Sequence, residues 1–155
     1  MRIDETHEIE ESSFAWQRTL VNQWIAAFNE HNVAAIVALY AENAELFDSG
    51  MKRPRRGPHE IEHWFTSRFR TMPSITYTPK SQLFTDGRAV VTWTTSGRAP
   101  RILGLNLLRR SFHVDGISLF TLQNNQIVAQ RGYYDHLSAL EQLLPPLKWI
   151  VPPRL

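Results

Sequence analysis

The clearest chemical pattern in the sequence is a pair of histidines one helical turn apart. Residues 59–63 read His-Glu-Ile-Glu-His, which satisfies the pattern of two zinc-binding imidazoles with a glutamate base between them. At roughly 100° per residue, both imidazoles project nearly opposite the apolar stripe of the predicted helix. That stripe contains Ile61, Trp64, Phe65 and Phe69. We therefore expect His59 and His63 to face solvent, and we predict no metal or other cofactor.

Two aspartates stand where predicted elements end or begin. Asp48 follows a probable strand at 44–48, and Asp48-Ser49-Gly50 has the composition of a plain turn. Asp135 precedes a short apolar helix, so its side chain suits an N-cap. A carboxylate that lines an apolar pocket can instead transfer protons. The structural and the catalytic interpretation are both open for each aspartate.

Composition bounds the class of protein. The chain has 155 residues, of which 43% are hydrophobic, and this is the usual size of one domain spanning residues 1–155. The 17 Lys plus Arg residues against 15 Asp plus Glu give no continuous surface for phosphate, which argues against nucleic acid as a partner. The absence of cysteine excludes disulfides, thiol nucleophiles and thiolate metal sites.

The ends of the chain and one basic loop carry further expectations. Residues 1–11 are acidic, unlike a signal peptide, and no apolar run reaches membrane-spanning length. We therefore predict a cytoplasmic protein with no membrane partner. At the other end of the chain, residues 145–155 form a proline-rich tail. The loop at 52–56 holds Lys52, Arg53, Arg55 and Arg56. It can attract an anionic ligand or simply be solvated.

The hydrophobic period changes from helical to alternating along the chain. Apolar spacing predicts helices over 13–28, 33–40 and 58–72, with caps at Ser12 or Ser13 and at Asn32. From residue 75 the period becomes two, which predicts strands at 75–84, 88–96, 112–122 and 126–134. Asn124-Asn125 suits a hairpin turn. Helices followed by a meander predict an α+β domain with an antiparallel sheet.

Three segments resemble the nuclear-transport-factor-2-like superfamily. Residues 20–49, LVNQWIAAFNEHNVAAIVALYAENAELFDS, are similar to the opening of ketosteroid isomerases and their relatives. Residues 56–65, RGPHEIEHWF, resemble the start of the third helix, and residues 117–135, ISLFTLQNNQIVAQRGYYD, resemble the final hairpin. The resemblance implies a cone in which three N-terminal helices pack on a strongly bent antiparallel sheet and enclose an apolar pocket. It also implies a homodimer formed through the exposed sheet face.

The resemblance to isomerases suggests a catalytic carboxylate in this chain but not the two acidic groups that stabilise the oxyanion in isomerases. The resemblance places Asp48 at the general base, where burial would suit proton transfer between carbons of a ketone. It places Trp24 and Ser118 where an acidic tyrosine and a protonated carboxylic acid stabilise the oxyanion. Indole and hydroxyl groups donate hydrogen bonds but do not reproduce that acidic pair. We therefore do not expect steroid isomerisation.

Of two further groups of relatives, the first has catalytic residues that this chain lacks, and the second has a catalytic aspartate that this chain retains. Limonene-epoxide-hydrolase-like enzymes carry a catalytic aspartate where this chain has Gly132, and an arginine and an aspartate at positions that correspond roughly to Thr94 and Ser96. We do not expect epoxide opening. SnoaL-type polyketide cyclases end in an aspartate followed by an apolar helix, which Asp135 and residues 136–143 resemble. A middle-strand histidine of that group has only Arg98 or His113 as its nearest counterpart.

Aromatic residues and one glycine complete the predicted pocket. Large aromatic side chains can be either core or pocket wall in a cone, because the pocket is the unfilled part of the core. Gly132 removes a side chain from a position that relatives point into the cavity, so a ligand or an aromatic neighbour should occupy that room. The predicted pocket residues are Trp24, Phe28, Trp64, Trp93, His113, Ser118, Phe120, Gly132 and Tyr134.

The sequence leaves two classes of function open. The first is a cofactor-independent enzyme of the cyclase, isomerase or dehydratase type, acting on a hydrophobic carbonyl-containing small molecule through Asp48 and Asp135. The second is a non-catalytic binding or assembly module of the same fold. Convergence of both aspartates on one cavity would favour the enzyme.

Overall fold

The structure is a computed structural model, and it describes residues 14–98 and 111–143. Its helices are α1 (Ala15–Asn29), α2 (Val33–Val37), α3 (Gly57–Thr71) and α4 (His136–Leu143). Its strands are β1 (Tyr40–Asp48), β2 (Arg55–Arg56), β3 (Thr76–Thr85), β4 (Arg88–Arg98), β5 (Ser111–Gln123) and β6 (Gln126–Tyr134). Three helices precede the meander β3 to β6, so the predicted α+β arrangement is confirmed.

The helix starts follow local sequence signals. The Asn32 side chain accepts the backbone N–H of Ala35 at 3.0 Å, which confirms that cap. Pro58 lies in the first turn of α3, as predicted. The Ser12 and Ser13 caps lie outside the described residues, as do the acidic leader and the proline-rich tail.

The boundary between α2 and β1 differs from the prediction. Helical spacing suggested that α2 continues through Tyr40, but α2 ends at Val37 and Tyr40 begins the strand. The phenol of Tyr40 accepts the indole N–H of Trp24 at 3.0 Å and donates to the side-chain oxygen of Gln130. These distant partners hold Tyr40 in β1, and tertiary contacts of this kind override local helix propensity.

The sheet is curved, unclosed and mixed. Its order is β2-β1-β6-β5-β4-β3. The meander is antiparallel as expected, and Asn124 and Asn125 form its last turn with φ of 51° and 59°, the positive values that a type I′ turn requires. However, β1 pairs with β6 in parallel. The expected antiparallel pairing holds for the other pairs among the described strands and not for this one, because the sheet brings β1 beside β6 and the two strands run in the same direction.

The core lies between the helices and one face of the sheet. Its fully buried side chains come from α1, α2, α3 and alternating strand positions, among them Leu20, Ile36, Ile61, Val91 and Ile127. At the sheet edge, the Asn29 side chain accepts the backbone N–H of Tyr77 at 2.7 Å and donates to its carbonyl at 2.9 Å. This two-point contact fixes α1 against the edge strand β3.

None of the described helices is long and apolar enough to cross a membrane.

Two strand glycines should differ in how well they tolerate an added methyl group. A Cβ added at Gly116 would lie 2.3 Å from Cη2 of Trp93, whereas one added at Gly132 would meet nothing closer than 3.7 Å. We expect Gly116→Ala to lower the free energy of unfolding by about 1–3 kcal/mol, because the Trp93 ring must move. Gly132→Ala should change it by less than about 0.5 kcal/mol. Urea unfolding of both variants checks this, and equal losses would contradict it.

Candidate active site

A cavity of about 310 Å³ opens between α1, α3 and the inner face of the sheet. Its wall is mostly apolar, and it includes the aromatic side chains of Trp24, Phe28, Trp64, Tyr77, Trp93 and Tyr134. Seven of the nine predicted pocket residues lie in this wall. Asp48 also lies there. The polar groups in the wall are few, which is typical of small-molecule sites.

Two predicted pocket residues are not in the wall. His113 is exposed, because β5 alternates and directs its neighbours Phe112 and Val114 inward. Its backbone N–H and carbonyl both bond to the side chain of Gln142, each at 2.8 Å. Phe120 faces inward but is a core residue, 1% exposed, with its ring centroid 5.6 Å from that of Trp24. The aromatic core fills the space around Phe120.

Asp135 does not meet Asp48 in the cavity. It is exposed, and its Oδ1 accepts the backbone N–H groups of Leu137 and Ser138 at 3.0 and 3.1 Å. These bonds are those of an N-cap on α4. The residue that does line the cavity at this point is His136. The two aspartates therefore do not converge on the cavity, and His136 lines it in place of Asp135.

Asp48 combines the turn with a place in the cavity wall. One carboxylate oxygen, Oδ1, accepts the N–H of Gly50 at 2.9 Å, so the turn interpretation holds. The other oxygen, Oδ2, lies 3.3 Å from Nη2 of Arg68, and the two side chains are only 17% and 21% exposed. The two contacts orient the Asp48 side chain in a wall that is otherwise largely apolar.

Arg68 reaches this carboxylate from α3. Its guanidinium carbon stacks 5.0 Å from the ring centroid of Trp64, a cation–π contact that fixes the side chain. Met72 lies one turn further on, with its sulfur 3.8 Å from Nη1 of Arg68. The sequence signal was an arginine within the apolar stripe of a helix, but the stripe alone did not indicate its partner.

The phenol of Tyr134 lies against the ion pair. Burial raises the pKa of Tyr134 above its ordinary value; the positive charge of Arg68 lowers it, and the negative charge of Asp48 raises it. The hydroxyl lies near both of these side chains. Tyr134 therefore keeps its proton at neutral pH and supplies a hydrogen-bond donor beside the carboxylate.

A serine and a histidine extend the polar cluster. Ser49 Oγ and His136 Nε2 are 2.7 Å apart, and Ser49 Oγ also accepts the backbone N–H of Tyr134 at 3.3 Å. The imidazole packs on the phenol of Tyr134 with ring centroids 4.1 Å apart. His136 is thus the second titratable group beside Asp48, although the sequence directed attention to its neighbour Asp135.

The two donors suggested by the isomerase relatives have internal partners. The indole N–H of Trp24 is its only donor, and Tyr40 accepts it. Trp93 donates its own indole N–H to Ser118 Oγ at 2.9 Å, which leaves the hydroxyl hydrogen of Ser118 available. Trp24 therefore contributes a ring to the wall, and Ser118 contributes a hydroxyl.

The positions suggested by the epoxide hydrolase relatives are divided between two faces. Gly132 lies in the cavity wall. Thr94 bonds to the exposed side chain of Asp115 at 2.5 Å, and Ser96 bonds to Thr76 at the exposed sheet edge. Thr95, between them, lines the cavity instead.

The His-Glu-x-x-His segment lies on the surface. His59 and His63 are exposed, and the Glu60 carboxylate accepts two bonds from Arg53 at 2.9 Å. The guanidinium of Arg53 holds the pKa of Glu60 down at about 2. Within the described ranges, no three His, Asp or Glu side chains are grouped so that they could hold a metal ion. The basic loop at 52–56 is therefore partly neutralised by Glu60.

The family assignment follows from a match over most of the chain. The model of the SnoaL-like domain matches residues 21–130, which include β1, α3 and most of the cavity wall. The chain belongs to the SnoaL-like domain family. A comparison with curated proteins finds no match.

Solved structures agree on the fold of this SnoaL-like chain. A protein with a ketosteroid isomerase-like fold from Catenulispora acidiphila, in complex with trimethylamine, is 20% identical with a TM-score of 0.72 over 86% of this chain and 97% of that one. A candidate SnoaL-like polyketide cyclase from Shewanella denitrificans is 15% identical with a TM-score of 0.72 over 83% and 96%. TerC, co-crystallised with polyporic acid, is 13% identical with a TM-score of 0.69 over 83% and 98%. At these identities the similarity establishes the fold and no more.

Three buried phenols, two of them in the cavity wall, predict a loss of stability at alkaline pH. Burial raises the pKa of Tyr40, Tyr77 and Tyr134. Below about pH 10 these phenols are protonated in both states and add no pH dependence; above it the unfolded chain releases protons that the folded chain keeps. The free energy of unfolding should therefore fall by up to about 1.4 kcal/mol per pH unit for each phenol.

Urea unfolding between pH 8 and pH 11 measures this slope. Tyr77→Phe removes one of the three phenols, so its stability should fall less steeply than that of the wild type. An identical slope for both proteins would contradict the assignment.

Proposed function

We propose that this SnoaL-like chain binds an apolar, carbonyl-bearing small molecule in the cavity and catalyses a cofactor-independent proton transfer on it, with Asp48 as the base. The observation that carries the proposal is the Asp48 carboxylate itself. It lies in an aromatic wall, four-fifths buried, with one oxygen on a backbone N–H and the other beside Arg68. A positioned carboxylate of this kind suits abstraction of a proton next to a carbonyl.

The neighbours of Asp48 fit a single proton-transfer cycle. Asp48 takes a proton from the carbon next to the ligand carbonyl, which leaves a neutral carboxyl group and an enolate. The guanidinium of Arg68 and the hydroxyl of Tyr134 lie beside the developing negative charge and can stabilise it. The proton then returns from Asp48 to the same or another carbon. A cyclase, an isomerase or a dehydratase reaction can begin with this step.

The structural neighbours support binding of small molecules by this fold. Polyporic acid, bound by TerC, and trimethylamine, bound by the Catenulispora protein, differ in size and charge. The fold therefore accepts different ligands, and the wall residues of each chain must select among them. In this chain the wall combines aromatic rings with one ion pair, which favours a neutral, ring-containing ligand that carries oxygen.

A non-catalytic binding module is the second candidate. The place of Asp135 favours it, because this aspartate caps α4 and leaves Asp48 as the one carboxylate among the described residues of the wall. An aromatic cavity with a single ion pair is sufficient to bind and orient a ligand. The two candidates differ in whether Asp48 moves a proton.

Exchange of carbon-bound hydrogen in D₂O separates these candidates. 2-Tetralone is a suitable probe, since it is a fused-ring ketone with acidic hydrogens next to its carbonyl. We expect the protein to accelerate deuterium incorporation at that carbon, measured by proton NMR. Asp48→Asn should lower the accelerated rate by on the order of 10²-fold or more, because the amide cannot accept the proton.

Asp135→Asn is the matched control. Asparagine caps helices as well as aspartate does, and residue 135 lies outside the cavity wall, so this variant should exchange at the wild-type rate. If the wild type binds the probe but does not accelerate the exchange, the non-catalytic binding module is the remaining candidate. An unchanged rate in Asp48→Asn would remove Asp48 from the mechanism.

We further propose that the protein forms a homodimer through the outer face of the sheet. The support is a row of apolar side chains in register across β3, β4 and β5, made by Leu83, Val90 and Leu119. Leu83 and Leu119 are 64% and 39% exposed, so the row leaves adjacent apolar side chains in contact with solvent. The cytoplasmic location stays a prediction from the sequence.

A charge in this row tests the dimer. Leu119→Lys should convert the dimer to a monomer, because the ammonium group would be desolvated in the interface. Size-exclusion chromatography with light scattering measures the mass. Thr66→Lys, which adds the same charge at an exposed position of α3, should leave the mass unchanged. A monomeric wild type would refute the proposal.

A further inference from the structure

A buried hydroxyl lies in the cavity wall away from Asp48. Tyr77 lines the cavity, and the residue is only 3% exposed. Among the residues that the structure describes, its hydroxyl has no hydrogen-bond partner. Buried polar groups are nearly always paired, so an orphaned hydroxyl on a residue that lines a cavity calls for an explanation.

The surroundings of Tyr77 hold its ring in place without using the hydroxyl. Trp24, Phe28 and Trp93 surround the ring, with centroid distances of 5.4, 5.7 and 5.3 Å. The Asn29 side chain fixes the backbone of the same residue on both its N–H and its carbonyl. A phenylalanine would make all these contacts equally well. The hydroxyl is therefore not explained by packing.

Ser118 is the second hydroxyl in this part of the wall. Its oxygen accepts the indole N–H of Trp93 at 2.9 Å, so its hydrogen remains available for donation. Burial raises the pKa of Tyr77, and the nearby Ser118 hydroxyl lowers it, although the two oxygens are not in hydrogen-bonding geometry. Even if Ser118 turns its hydrogen towards Tyr77, the phenolic hydrogen still lacks an acceptor.

Strand register relates these hydroxyls to Asp48. Ser118 pairs with Gly132 across β5 and β6, and Gly132 pairs with Asp48 across β6 and β1. Paired residues share a face of the sheet, so all three positions line the cavity, with about 10 Å between the outer two backbones. Gly132 has no side chain, and an added Cβ would meet only Asp48 Oδ2 at 3.7 Å and the Phe47 carbonyl at 3.9 Å. The space above Gly132 is therefore open.

We propose that Tyr77 and Ser118 form an oxygen-binding subsite, which receives a carbonyl or hydroxyl oxygen at one end of a flat ring-containing ligand whose body crosses Gly132 towards Asp48. The phenolic hydrogen of Tyr77 donates to that oxygen. The substrate class is therefore a fused-ring compound with an oxygen substituent remote from the reacting carbon. This inference rests on the proposed ligand-binding function. In it, the oxygen at the far end of the ligand is the group that the protein recognises.

A matched pair of probes tests the subsite. 2-Naphthol and 2-methylnaphthalene have nearly the same shape and differ in a hydroxyl replaced by a methyl group. Their dissociation constants for the full chain can be measured by ligand-observed NMR. We expect the wild type to bind 2-naphthol about tenfold more tightly, as one well-formed hydrogen bond would give. Without the subsite, the more apolar methyl compound should bind at least as well.

Variants assign the preference to the hydroxyl. Tyr77→Phe should abolish it while retaining binding of 2-methylnaphthalene, and it should remain folded because the removed hydroxyl has no partner. Ser118→Ala should reduce the preference. Tyr133→Phe is the control, since Tyr133 lies on the outer face and its variant should keep the wild-type preference.

The outcomes of these binding measurements separate the subsite from the cavity and from the proton transfer. An unchanged preference in Tyr77→Phe, or an equal weakening of both probes, would overturn the subsite. Binding of neither probe by the wild type would overturn the proposed ligand-binding cavity together with the subsite. The expected preference without any exchange of 2-tetralone would support the subsite in a binding module and refute only the proton transfer.

Discussion

The parallel pairing of β1 with β6 is the constraint on which the candidate site depends. It sets Asp48 opposite Gly132, while the antiparallel pairing of β6 with β5 sets Gly132 opposite Ser118. A shift of one residue in either pairing would turn these side chains to the other face of the sheet. The carboxylate, the open position and the hydroxyl therefore share one cavity only because both registers hold. The apolar core on the same face fixes these registers.

The ion pair of Asp48 and Arg68 joins the sheet to α3. An exposed pair of this kind contributes at most about 1 kcal/mol to stability. Here both side chains are about four-fifths buried, so removal of either partner would leave a charge with little water around it, which is costly. Gly50 and Tyr134 add hydrogen-bonding groups around the carboxylate. The pair is better explained as a means of holding a charged group at the cavity wall than as a source of stability.

The sequence predicted the elements better than their non-local pairing. The apolar spacing located α1, α3 and the four strands of the meander, since those signals are local. The start of β1 at Tyr40 was missed because its partners, Trp24 and Gln130, are distant in the sequence. The parallel β1–β6 pair was missed for the same reason. Periodicity indicates which face of an element is apolar, but it does not identify the neighbour of that element.

The same distinction accounts for the site. Asp48 and most of the aromatic wall could be placed by resemblance, because residues 20–49, 56–65 and 117–135 are similar to segments that have fixed places in the fold. His113 was misplaced because the phase of β5 is set by Phe112 and Val114. Arg68 and Tyr77 were not found, since their importance depends on what surrounds an arginine in an apolar stripe and a tyrosine in a strand. Neither environment can be read from residue spacing.

The contrast between Asp135 and His136 explains how one residue can change an interpretation of function. An aspartate before a helix has two strong uses, as a cap and as an acid or base, and its backbone position decides between them. At the end of β6, Asp135 turns outward to the N–H groups of Leu137 and Ser138. This cap starts α4 at the next residue and directs His136 into the wall, where it meets Ser49. The aspartate thus acts on the cavity through the helix that it begins, and the titratable group that it positions is an imidazole.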